Sequence, residues 1–229
     1  MRLQLQPTTP SAALNAVYAR ERAALAPECA GVFGRQGLFV GGDAELAGHM
    51  ATPMLGRRIG LRVLSAHRLG GDTVCEPGDL PFADDSFRLV VVQHAFERVA
   101  DPAALRDEIV RVLEPGGIAI VIGFARYGVS RAWLAWQGRG AEAPRFASAA
   151  SSRRALSRCG VDVYAERRVG HAPFAAGGLR FDVPPALQPS WMLIARKRSA
   201  AALARTLPVA LRPRPVRANL ASGTQRASA

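Results

Sequence analysis

The chain has 229 residues, 49% of them hydrophobic, which suits one domain with a buried core plus an added segment. It has no run of about 18 apolar residues and no apolar stretch in its opening "MRLQLQPTTPSAAL", so neither a membrane-spanning helix nor a signal peptide is expected. The formal charge of +12 invites a polyanion partner, but Lys197 is the only lysine among 30 basic residues and several arginines fall in the C-terminal segment rather than on one folded face, so specific nucleic-acid recognition is not expected.

Residues 1–10 carry no periodic pattern. "SAALNAVYARERAALAPE" begins with Ser11 as a cap, and Leu14, Tyr18 and Leu25 fall on one face, predicting an amphipathic helix within an extension over 1–30. "QGLFVGGD", Gln36 to Asp43, is a short apolar run closing on two glycines, as a strand entering a tight turn would be. "AELAGHMATPMLGRRIG" is predicted helical with a break near Pro53, and "LRVLSA", Leu61 to Ala66, is predicted as a second strand.

A further short strand fits Thr73–Cys75, but the link from Ala66 is only about seven residues where a parallel crossover takes a dozen or more. The helix that would span this step is therefore missing, or the strand is vestigial or differently paired. "LPFADDSF" is a loop with Pro81, Asp84, Asp85 and Ser86 as turn residues. "RLVVVQ", Arg88 to Gln93, is an unbroken β-branched run, the mark of a strand covered on both faces.

"DPAALRDEIVRVLEPGG" is a helix with Asp101 as its cap and Pro102 in the first turn. Leu105, Ile109, Val112 and Leu113 form its stripe, and Pro115, Gly116 and Gly117 stop it. "IAIVIGF", Ile118 to Phe124, completes a strand–helix–strand unit of right-handed type.

"ARYGVSRAWLAWQGRG" places Tyr127, Trp133 and Trp136 where a short helix or lid fits, or where aromatics pack on the sheet. "SSRRALSRCG" is a helix stopped by Gly160. "VDVYAERRV" and "SWMLIARKR" are two closing strands. The basic, Pro- and Ala-rich segment 199–229 is expected to be a disordered tail. Cys29, Cys75 and Cys159 are too scattered for a disulfide framework, and the four histidines lack metal-ligand spacing, so a reduced, cytoplasmic protein without a metal is expected.

The segment Leu80 to Phe124 closely resembles the core of class I S-adenosylmethionine-dependent methyltransferases, in the branch acting on small molecules. Leu80, Pro81, Phe82, Ser86 and Phe87 match the lead into the fourth strand of that family. Glu108, Arg111, Val112, Leu113, Pro115, Gly116 and Gly117 match the helix before its fifth. The resemblance is close over about 76–124 and weaker to about Arg198, which frames a domain at 31–198. It implies an α/β three-layer sandwich with a mostly parallel twisted sheet, an antiparallel end and, here, a shortened second crossover.

It also implies S-adenosylmethionine as cofactor and a site at the carboxyl ends of the strands. Gly41 and Gly42 stand at the family's glycine turn, although its carboxylate within the strand is replaced by Phe39 or Val40. Ser65 stands at the ribose acid position, where a hydroxyl cannot supply a bidentate acceptor. Glu76, or Asp79 in a shifted register, stands at the adenine acid beside Leu80, unless these are ordinary turn acids. Gln93 and His94 stand at the tip of strand four, with His94 the best-placed base or else a histidine bonded to backbone.

Three readings remain open at this point. One is a methyltransferase acting on a small or lipophilic molecule. Another is a methyltransferase-fold protein retained as a non-catalytic binding or regulatory module. The last is a binder of polyanions or acidic membranes through its tail.

Overall fold

The computed structural model describes residues 12–41, 46–125, 146–169 and 188–199. Their strands are β1 (Gly34–Gly41), β2 (Leu55–Ser65), β3 (Arg68–Gly71), β4 (Phe87–Gln93), β5 (Leu113–Phe124), β6 (Val161–Val169) and β7 (Ser190–Lys197). Their helices are α1 (Ala12–Ala30), α2 (Leu46–His49), α3 (Pro102–Val112) and α4 (Ala149–Arg158).

The strands form one sheet in the order β3-β2-β1-β4-β5-β7-β6. The β2–β1, β1–β4 and β4–β5 pairs are parallel, and β5–β7 and β7–β6 are antiparallel. The expected antiparallel end is therefore present. The far edge is antiparallel as well, because β3 runs against β2.

Side-chain alternation sorts the core into two layers, as period-2 strands covered on both faces require. Leu38, Val40, Val90, Val92, Ala119 and Val121 face Leu105 and Ile109 of α3 and Leu156 of α4. Phe39, Leu89, Val91, Ile120, Ile122 and Ile194 face Leu25 and Cys29 of α1 and Leu46 of α2. The helix predicted over "DPAALRDEIVRVLEPGG" starts as read but ends at Val112, before the expected Pro-Gly-Gly stop, because Leu113 is already extended and opens β5. Asp101 Oδ1 accepts hydrogen bonds from the backbone N–H groups of Ala103 and Ala104 at 2.9 and 3.0 Å, and Pro102 opens the first turn.

Two expected elements are corrected. The helix foreseen across "AELAGHMATPMLGRRIG" shrinks, in the described residues, to Leu46–His49. Residues from Leu55 onward join β2 and pair with β1 from Gly34↔Leu55 to Gly41↔Arg62. Pro53 ends any helix there, and the backbone of β1 gains a full ladder.

The strand foreseen at Thr73–Cys75 is replaced by β3 at Arg68–Gly71. Cys75 forms only an isolated bridge to Leu69, with N···O distances of 2.9 and 3.2 Å. With too few residues for a crossover helix, the chain turns at Ala66–His67 and returns as a hairpin. Gly71, at the far end of β3, lies tight against β2. Its φ is +151°, and a Cβ there would lie 2.2 Å from the Gly60 carbonyl oxygen.

Candidate functional site

Strand order reverses between β1 and β4, the place where open α/β sheets bind ligands beyond their carboxyl ends. The pairing registers put Arg62, Gly41, Gln93, Ile122 and Met192 in one row across the top of β2, β1, β4, β5 and β7. Gly41 and Gln93 are thus direct neighbours at the reversal. Gly42 and Asp43 lie outside the described residues. Phe39, two residues before Gly41, is fully buried in the α1/α2 layer.

The tip of β4 is built around a buried ion cluster. His94 follows Gln93 with φ +53°, a left-handed backbone uncommon outside glycine. Its Nε2 lies 3.0 and 2.9 Å from the two carboxylate oxygens of Glu21, and its Nδ1 lies 2.9 Å from Glu97 Oε2. Gln93 Nε2 donates to Glu21 Oε2 at 2.6 Å, and Ser190 Oγ donates to Glu21 Oε1 at 2.5 Å. Phe124 N donates to Glu97 Oε1 at 2.5 Å, and the Phe124 ring stacks on the imidazole at 3.6 Å between centroids.

Burial alone would lower the His94 pKa, but the Glu21 and Glu97 carboxylates outweigh it and raise it to about 9. The ring is therefore a cation at neutral pH, with both N–H groups committed to carboxylates. It has no lone pair with which to accept a proton, so the base role expected for His94 does not fit this geometry.

Glu21 was not foreseen. Reading α1 by its apolar residues alone passed over it, although it lies on the same helical face as Tyr18 and Leu25, both of which are buried. A single acid set into an otherwise apolar stripe was the available signal.

The remaining site residues are more dispersed. Ser65 is exposed at the hairpin turn, where its Oγ accepts from His67 N at 3.4 Å. Glu76 and Asp79 are exposed and close one tight turn, with Asp79 N donating to Glu76 O at 3.2 Å. Leu80 is buried in the α3/α4 layer, and its N–H donates to Glu108 Oε2 at 2.8 Å.

The Leu80-Pro81-Phe82 loop is clamped to α3. Arg111 donates to the carbonyls of Leu80 and Phe82 at 3.0 and 2.8 Å, and forks onto Glu108 at 2.8 and 2.7 Å. The Glu–Arg pair of the motif is therefore scaffold that holds this loop. Tyr127, Trp133 and Trp136 lie outside the described residues.

Residues 62–121 match the family model described as methyltransferase domain. A demethylmenaquinone methyltransferase of Clavibacter sepedonicus is 37% identical over 71 residues, which is 29% of each chain. The chain thus spans under a third of that relative's length. Geranyl diphosphate C-methyltransferase of Streptomyces coelicolor, solved with Mg2+, geranyl diphosphate and S-adenosyl-L-homocysteine, superposes with a TM-score of 0.57 at 16% identity, covering 81% of this chain and 82% of its own. An S-adenosylmethionine-dependent methyltransferase of Thermotoga maritima, described as a possible histamine N-methyltransferase, gives 0.53 at 17% identity, with 82% and 92% covered.

The chain has the class I methyltransferase fold. Within that fold, its β2–β3 hairpin turn and its Glu21–His94–Glu97 cluster both stand at the carboxyl end of the parallel strands. Among the described residues, no helix is long and apolar enough to cross a membrane, and no group of three His, Cys, Asp or Glu side chains is arranged to hold a metal ion.

Proposed function

We propose that this protein transfers a methyl group from S-adenosylmethionine to a small molecule. The observation that carries the reading is Gln93 Oε1. It is a buried acceptor without a hydrogen-bond partner, located beside the side-chain-free Gly41 at the strand-order reversal. A buried acceptor left unpaired is costly, and an ammonium group such as the one on the methionine part of the donor would satisfy it. The family match over residues 62–121 supports the same reading.

In this reading 31–198 is the catalytic domain, 1–30 a helical extension and 199–229 a basic tail that adds attraction to polyanions or acidic lipid. Gly41 and Gly42 would let the backbone approach the donor, and Gln93 would hold its amino group. Glu76, Asp79, Ser65 and the Leu80 side would meet the adenosine part. The donor, when bound, supplies a methyl carbon made electrophilic by its sulfonium. The chain's own contribution is alignment. The charged His94, tied to Glu21 and Glu97, fixes the tip of β4 and is not placed to take a proton from the acceptor.

Calorimetry with S-adenosylmethionine and its demethylated product tests this. Binding is expected, with a stabilisation of about 2.7 kcal/mol at 100 times the dissociation constant. No heat and no thermal shift at millimolar ligand would overturn it. A second reading, a non-catalytic binding module, is favoured by Glu21 and Tyr18. Both are buried, and both meet His94 just past the tip of β4, where a ligand would otherwise approach. It predicts that null result.

A further inference from the structure

A cavity of about 280 Å³ opens between α3 and α4 against the last residues of β5, Val121 to Gly123. Its walls are mostly apolar, with Phe96, Val121, Phe146, Ala155 and Leu156 among them. Trp191 forms a fixed side, since its Nε1 donates to the carbonyls of Phe124 and Ala147 at 3.1 Å each. Gly123 leaves room for the indole, because a Cβ there would lie 2.3 Å from Trp191 Cζ2.

Two charged side chains line the cavity, Arg106 and Glu97. Arg106 lines it with a buried Nε–H that makes no hydrogen bond, the Asp107 carboxylate being 3.8 Å away. The first turns of two helices border the same space, at Pro102 of α3, where the Asp101 carboxylate already caps the N–H groups of Ala103 and Ala104, and at Ser151 and Ser152 of α4, where Ser148 Oγ accepts from Ser151 N. Glu97 also lines it, but its oxygens already accept from Phe124 N and face His94. Like-charge repulsion from Glu97 would direct an acid group toward Arg106.

We infer that this cavity binds a small apolar carboxylate, with the ring or chain on the aromatic walls and the acid on Arg106. Pockets that pair apolar walls with a few placed polar groups fix orientation in this way. A guanidinium offers a carboxylate paired, planar N–H donors. Calling this ligand the methyl acceptor rests on the function proposed above, whereas its binding rests on the cavity alone.

The test is calorimetry on the full chain, without methyl donor, using 2-naphthoate and the neutral 2-naphthalenemethanol. The naphthoate is expected to bind about tenfold more tightly or better, as a hydrogen bond to a charged partner implies. Arg106→Gln should erase that preference, Arg106→Lys should keep part of it, and Ala155→Phe should weaken both probes by filling the cavity. Far-ultraviolet circular dichroism checks that each variant folds. Equal affinities in the natural chain, no binding of either probe, or a preference unchanged in Arg106→Gln would overturn the inference. Naphthoate binding without methyl-donor binding would sink the proposed reaction and leave this site standing. Donor binding without naphthoate binding would do the reverse.

Discussion

The Glu21 carboxylate and the His94 imidazole meet at 2.9 and 3.0 Å inside the protein, although 73 positions separate them in the chain. One sits on α1 and the other just past the last residue of β4. Their pairing fastens the first helix to the carboxyl end of the sheet.

Removing the charge of Glu21 should be expensive. Glu21→Gln leaves the His94 cation buried with one carboxylate instead of two, and breaking one side of a buried ion pair costs about 3 kcal/mol or more. Urea denaturation at pH 7 measures the loss.

The same cluster sets a pH dependence. The His94 pKa is raised from its ordinary 6.5 to about 9 in the folded state. A raised folded pKa gives stability that is complete below 6.5 and is lost as pH rises through about 9. Stability should therefore fall between neutrality and pH 9.5, by more in the natural chain than in Glu21→Gln. Parallel denaturation curves at pH 6.5 and 9.5 give the comparison.

Arg111→Gln should loosen the loop after Asp79. It strips donors from the carbonyls of Leu80 and Phe82 and from Glu108, a loss of about 2–3 kcal/mol. The Glu108 carboxyl is held below its usual range, first by its hydrogen bonds to Arg111, against the opposing effect of burial. A depressed folded pKa gives stability that is present above the ordinary carboxylate value and is lost as pH falls through the lowered one. Acid unfolding should therefore begin at a higher pH in the variant.

Gly71→Ala should break the hairpin that replaces a crossover helix. The new methyl would meet the Gly60 carbonyl oxygen at 2.2 Å on a backbone with φ +151°. Conformational strain alone is worth about 1–3 kcal/mol, and a two-dimensional amide spectrum would show the change concentrated in β2 and β3.

Gly123→Ala should displace Trp191, whose ring atoms lie 2.3 to 2.8 Å from where the methyl would go. Overpacking of this kind costs about 1–3 kcal/mol. Near-ultraviolet circular dichroism reports the indole, and the affinity of naphthoate should drop with it.

Much of the sheet was legible in the sequence because burial on both faces writes itself as β-branched runs, as in Arg88 to Gln93. The start of α3 was equally plain, with a cap and a proline each acting locally, whereas its end was placed too late, because Leu113 to Gly117 join β5 instead. The hairpin at Ala66–His67 was harder to read. A short link shows that a helix is missing but does not say which way the chain turns back. Leu55 to Gly60 was misread because that segment alternates poorly, and its strand state is set by the neighbouring β1. The cluster at His94 was least visible. Its imidazole looked free in a local window, and the acid that claims it lies on another element.

Ser190 carries a consequence for synthesis. Its hydroxyl completes the hydrogen-bond shell of Glu21, yet it is made 169 residues later. On a ribosome, the first helix must therefore wait with an unfinished acid until the last strand of the sheet has emerged. A nascent chain stalled short of β7 should leave that helix open to proteases even when β1, β2 and β4 have already paired.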